Sequence, residues 1–144
     1  MQPMCFSARA RLMVLLAVVL LVSVSALASD GRDFAGFYSV HKVTSQNGSV
    51  HLTLNVQVHN NGDIDVKNAV ITLRQNAGLN LVGTTKPIEL LKVHDHVTVS
   101  QQFTISKSEY ETWHQGLKPQ LSIVYRANGK TWEKSIQVNP KSGI

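Results

Sequence analysis

The stretch Val50-His51-Leu52-Thr53-Leu54-Asn55-Val56-Gln57-Val58-His59 places an aliphatic residue at every even position and a polar one at every odd position. Successive side chains of a strand point to opposite faces, so this rhythm describes a strand with one face in a core and the other in water. On a helix the same aliphatics would be scattered around the circumference.

Working outward, the same rhythm recurs between turn signals. Upstream, Phe37–Thr44 carries aromatic and β-branched residues and reads as a first strand, joined to Val50–His59 by Asn47-Gly48. That dipeptide is the strongest short hairpin signal, because both turn positions need positive φ. Asn47-Gly48-Ser49 is also a glycosylation sequon, but the turn accounts for it. Downstream, Asn60-Asn61-Gly62-Asp63 reads as a second turn. Ile64 and Val66 then keep one alternation phase and Ala69, Ile71 and Leu73 the other, so a bulge is expected near Lys67-Asn68.

Asn76-Ala77-Gly78 turns into Leu79–Val82, read as a short strand crossing to the other sheet. Ile88–Val93 follows the break at Thr84-Thr85-Lys86-Pro87. Val97, Val99, Phe103 and Ile105 then alternate with polar residues, with Gln101 interrupting the apolar face. A polar residue there should be hydrogen-bonded, near an end or beside a bulge.

Ser108-Glu109-Tyr110-Glu111 has the form of a capping box, and Gly116 fits a left-handed stop. About one and a half helical turns are expected there, too few to stand alone, with Tyr110, Trp113 and Leu117 plugging one end of the core. Leu121–Tyr125 is another strand, and Asn128-Gly129 returns it into Lys130–Val138. On that last strand Lys134 shares a face with Trp132, Ile136 and Val138, and an inward charge there blocks edge pairing.

Seven to eight short strands, one short helical turn and closely spaced turns define the fold class: all-β, a single antiparallel β-sandwich. No strand–helix alternation suggests a parallel sheet.

The first residues read differently. Arg9 and Arg11 precede the apolar run Leu12–Val22, followed by Ser23-Val24-Ser25-Ala26-Leu27-Ala28. A basic region, a short apolar centre and a small-residue site form a secretory signal peptide, with cleavage after Ala28. The expected organisation is therefore signal peptide 1–28, flexible lead-in 29–36, sandwich 37–139 and tail 140–144. The implied location is exported, periplasmic or secreted, with no membrane span once the signal is removed. Cys5 is the only cysteine and lies ahead of the apolar run, so the mature chain needs no disulfide.

The chain carries 14 Lys+Arg and 9 Asp+Glu; without Arg9 and Arg11 the excess is 12 − 9 = +3. These residues are scattered, whereas nucleic-acid binding needs a clustered basic stripe. Gly-x-Ser-x-Gly, His-Glu-x-x-His and a phosphate loop are missing, and no carboxylate pair stands out, so neither an enzyme nor a cofactor is expected.

Leu54–Asp63 running into Val66–Leu73 resembles bacterial Ig-like modules of the cell-adhesion-related (CARDB-type) group. In these modules a strand ends in Asn-x-Gly and the next opens with an Asn–apolar pair. The resemblance spans most of Phe37–Val138. It implies an Ig-like sandwich acting as a passive interaction or spacer module, and it brings no catalytic residues. His94-Asp95-His96 departs from it, standing where such domains carry a glycine turn. An exported, self-sufficient domain without recognisable chemistry is in turn expected to hold a protein partner in the cell envelope, through a sheet face or an unpaired edge.

Three groups are candidates for chemistry. His94 and His96 would share a face in an extended chain and so could hold one divalent metal, although a third ligand is not nearby in sequence. His51, Thr53, Asn55, Gln57 and His59 line the polar face of the central strand, suited to a protein surface or a glycan; a merely solvated face has the same composition. Asp63 and Asp65 do not follow the order of an EF-hand loop. Trp113 and Trp132, on apolar faces, are expected in the core rather than on a sugar platform.

Overall fold

The computed structural model describes residues 33–76 and 80–143. The expected signal peptide lies outside the described residues, as does the start of the lead-in. The element order is β1 (Phe34–Gln46), β2 (Ser49–Asn60), β3 (Val66–Arg74), β4 (Leu81–Thr84), β5 (Ile88–Leu91), β6 (His96–Ser106), α1 (Lys107–His114), β7 (Gln120–Ala127), β8 (Lys130–Ser135) and β9 (Gln137–Val138). One sheet has the order β6-β2-β1-β9; the other runs β4-β3-β7-β8, with β5 also paired to β3. The fold is an all-β sandwich, as the alternation predicts.

The central strand behaves as read. Val50, Leu52, Leu54, Val56 and Val58 are all buried in the core. Each such side chain contributes about 1.5–3 kcal/mol of burial, which fixes the register, because a one-residue slip would turn all of them outward. Both Asn-Gly turns adopt positive φ at both positions: 51° and 78° at Asn47 and Gly48, 52° and 73° at Asn128 and Gly129.

Several boundaries differ from the expectation. The lead-in ends earlier than expected, because β1 begins at Phe34, which is buried in the core. The phase change in β3 is real and centres on Asn68, with φ 49°. The pairing of β3 with β5 nevertheless runs through it without a shift, from Val66↔Leu91 to Ala69↔Ile88. Both strands turn two successive residues outward there, Lys67-Asn68 and Glu89-Leu90. A register bulge occurs instead in β1, between His41 and Val43, where Lys42 has φ 46°.

The segment expected to cross between sheets stays on the edge of β3. β4 pairs with Thr72–Arg74 of that strand. Thr85 bridges the break at Pro87 by accepting the amide of Ile71 through its side-chain hydroxyl. The crossing happens at the other end of the chain. β8 pairs antiparallel with β7, and Ile136 donates its amide to Leu121. β9 then joins the opposite sheet, parallel to β1. The last predicted strand is thus two strands in two sheets, and one pairing is parallel.

The tail is structural too. Ser142 is buried and accepts the amide of Tyr38 through Oγ, and Ser39 bridges to Gly143.

The helical turn is capped two residues before the predicted position. Ser106 is the cap and accepts from the Glu109 amide at 3.1 Å. The C-terminus closes as expected: Gly116 (φ 94°) donates to Trp113 and Leu117 to Thr112, the paired bonds of a left-handed cap. Trp113 is buried and donates to Glu109 at 2.7 Å, whereas Leu117 is 51% exposed and plugs nothing. Trp132 is also exposed, at 44%, because it lies on the edge strand β8. Lys134 pairs with Asp33. Among the described residues no helix is long and apolar enough to cross a membrane.

Candidate binding face

The outer face of the β6-β2-β1 layer is built by register alone. The odd residues of β2 each sit between one residue of β1 and one of β6. The rows are Thr44–His51–Thr104, His41–Thr53–Gln102, Ser39–Asn55–Ser100, Phe37–Gln57–Thr98 and Ala35–His59–His96. These five rows of three contain no Asp, Glu, Lys or Arg. Hydroxyl, amide and imidazole groups fill them, apart from Phe37 and Ala35. All five residues predicted for the binding face, His51, Thr53, Asn55, Gln57 and His59, therefore lie in one column, with hydrogen-bonding side chains beside them on β6 throughout and on β1 except at Phe37 and Ala35.

The opposite outer face is different in kind. There Thr72 and Ser122 share a hydroxyl–hydroxyl bond, Ser122 donates to Glu133 at 2.7 Å, and Arg74 pairs with Glu133 at 3.3 Å. The Ser122 hydrogen bond and the Arg74 cation hold the Glu133 carboxyl below its ordinary range. That face is cross-linked and charged; the five rows of the β6-β2-β1 face are neutral, with Lys42 at the β1 bulge outside them.

Within the neutral face two histidines are already engaged. His51 Nδ1 lies 2.9 Å from Thr104 Oγ1, and His41 Nε2 lies 3.2 Å from Ser39 Oγ. At the far end His59 stacks on His96, with ring centroids 5.0 Å apart and planes at 30°. Beside that pair is an open depression of about 560 Å³, lined by Phe37, Gln57, His59 and Gln137 among others. Phe37, 39% exposed, is the aromatic residue on this lining.

The predicted His94–His96 pair rested on an extended chain, and the structure removes that premise. His94 has φ 61° and belongs to a turn, so the two residues do not simply alternate. Among the described residues no group of three or more His, Cys, Asp or Glu side chains is placed to hold a metal ion. Asp65 is occupied in tying down the same turn, accepting the Val93 amide at 2.9 Å.

Asn60 is the residue whose importance sequence reasoning missed. Read as one member of a turn, it is fully buried at the end of β2. Its side chain donates to the carbonyls of Ile64 and Leu91 and accepts the Gly62 amide. Its backbone amide donates to Asp95, and its carbonyl accepts from His94. It thereby fixes the 94–95 turn against the end of the neutral face. The available signal was its place: it continues the even, inward phase of β2, where a polar side chain needs buried partners.

No protein-family model matches the chain, and no curated protein does. Among solved structures, two of a GH20 exo-β-N-acetylglucosaminidase from Vibrio harveyi, one in complex with N-acetylglucosamine, share a TM-score of 0.45 and 16% identity. Each match covers 78% of this chain and 19% of that one. A protein from Archaeoglobus fulgidus aligns at TM-score 0.36 and 12% identity, over 70% of this chain and 88% of its own. Similarity at that level carries no information about activity or ligand.

Proposed function

We propose that the protein is an exported, non-enzymatic binding module of the cell envelope that holds a protein partner on the outer face of β6, β2 and β1. The signal-peptide pattern of residues 1–28 supports export, and the resemblance to bacterial Ig-like modules fits a passive interaction role. The observation that carries the reading is the neutrality of the face. In a chain with 16% charged residues, the five rows carry only hydroxyls, amides, imidazoles and two apolar side chains, and Lys42, exposed at the β1 bulge outside the rows, is the one Lys, Arg, Asp or Glu of these three strands. Such groups can donate and accept without the desolvation cost of an ion, a composition suited to adaptable protein recognition.

A glycan is the second reading. The depression beside His59 is of small-ligand size and has amide walls. It offers Phe37 alone for stacking, because Trp113 is buried in the core and Trp132 lies on the other sheet. That favours the protein partner.

The test is affinity capture from envelope extract in mild salt. Thr98→Lys places a charge within the neutral face, and Thr131→Lys places one on β8 of the other sheet. A partner retained by wild type and Thr131→Lys but lost by Thr98→Lys is the expected result. Equal retention by all three, or no retained protein, refutes the reading. Retention on an immobilised panel of neutral polysaccharides, lost with Phe37→Ala, would establish the glycan reading instead.

A further inference from the structure

The geometry points to a two-histidine site for a divalent transition metal, formed by His59 and His96 across the β2–β6 ladder. The inference is independent of the partner proposed above and of the His94–His96 pairing read from the sequence. His59 and His96 occupy directly opposed positions in the register of the two strands. Directly opposed Cβ atoms in an antiparallel pair lie about 4.5–5.5 Å apart, a spacing that lets two imidazoles converge on one ion. Their rings are already face to face, with centroids 5.0 Å apart.

Four further observations bear on this pair. His41 and His51 are engaged with Ser39 and Thr104, whereas among the described residues neither ring of the His59–His96 pair makes a hydrogen bond. Both residues are exposed, so the rings have room to rotate from stacked to converging and water can complete the coordination. The five rows around them carry no cation that would repel a metal. The Asp95 carboxylate, 4.0 Å from His96 Nδ1, adds negative charge at the rim.

Two neutral imidazoles with water in the remaining positions define an exchangeable site and favour Cu²⁺ over Ni²⁺ and Zn²⁺, as the general order of divalent affinities requires. The backbone that presents the rings is held by the ladder on one side and by Asn60 on the other. Binding therefore reorders side chains and leaves the strands in place.

The experiment titrates the purified full-length protein with Cu²⁺, read by calorimetry and by the nitrogen hyperfine pattern in electron paramagnetic resonance. One Cu²⁺ per chain with two coupled imidazole nitrogens is expected. His59→Asn and His96→Asn should each weaken binding by about ten-fold or more and reduce the pattern to one nitrogen. His94→Asn should leave affinity within about two-fold. Metal-free melting temperatures matching wild type confirm that each variant is folded, as expected for exposed positions. Unchanged affinity in His59→Asn, or loss of binding in His94→Asn, overturns the assignment, as does the absence of a two-nitrogen signal in the wild type.

Discussion

Replacing Tyr38 by Phe should stabilise this protein. Tyr38 is fully buried in β1, and its hydroxyl is the buried side-chain polar atom that finds no hydrogen-bond partner among the described residues. An unpaired buried hydroxyl costs about 1–3 kcal/mol relative to leaving it in water, so its removal, with the ring kept, should raise stability by about 1 kcal/mol at pH 8. For a domain of this size that is roughly a 4 °C rise in melting temperature.

The same burial gives the effect a pH signature. Desolvation pushes the Tyr38 phenol up from 10.0 to about 12. The folded state therefore keeps the proton between those values while the unfolded chain releases it. The neutral-tyrosine contribution is present below about pH 10 and is lost progressively from pH 10 to 12, amounting to about 1 kcal/mol by pH 11. Tyr38→Phe cannot show that loss, so its advantage over wild type should roughly double between pH 8 and pH 11. Burial raises Tyr125 in the same direction, which leaves both proteins some alkaline sensitivity and makes the difference between them the quantity to measure. Urea unfolding of both at the two pH values is the assay. A variant less stable than wild type at pH 8, or a gap that does not widen with pH, refutes the reasoning.

Three other substitutions address separate features. Asn60→Ala removes three side-chain hydrogen bonds at a fully buried position and should lower stability by about 2–4 kcal/mol in urea unfolding, with faster amide exchange in the 94–95 turn. Gly36→Ala should destabilise by about 1–3 kcal/mol, because the added Cβ would lie 2.9 Å from the Gln57 carbonyl and 2.8 Å from Ile136 Cγ2. A Gly48→Ala control meets no neighbour and tests only the positive φ of its turn. Ser122→Ala removes the hydrogen bond that chiefly lowers the Glu133 carboxyl, so carboxyl-carbon NMR should show that group titrating higher, back toward 4.5. An unchanged Glu133 titration would mean that Arg74 alone holds it.

What the sequence determined by itself is the inward phase of its strands and the place of its tight turns, both of which depend on neighbours within a few residues. The two-residue rhythm from Val50 to Val58 sets which side chains are inward, and both Asn-Gly pairs set where hairpins turn. Gly116 ends the helix because only positive φ closes its cap. The column from His51 to His59 was legible for the same reason: alternation alone places those polar residues on one face.

Tertiary structure decided what those faces meet. Asn60 reads as a turn residue until its hydrogen-bond partners, drawn from residues 62–64 and 91–95, are in view. The strand ending in Val138 reads as continuous, yet Ile136 hands it from one sheet to the other, and Ser142 docks the tail on Tyr38. His59 and His96 are far apart along the chain and become neighbours through the β2–β6 register, whereas His94, two residues from His96, sits in a turn with positive φ. Periodicity is a local property of the chain, but which strand lies beside which is settled by packing two sheets around one core.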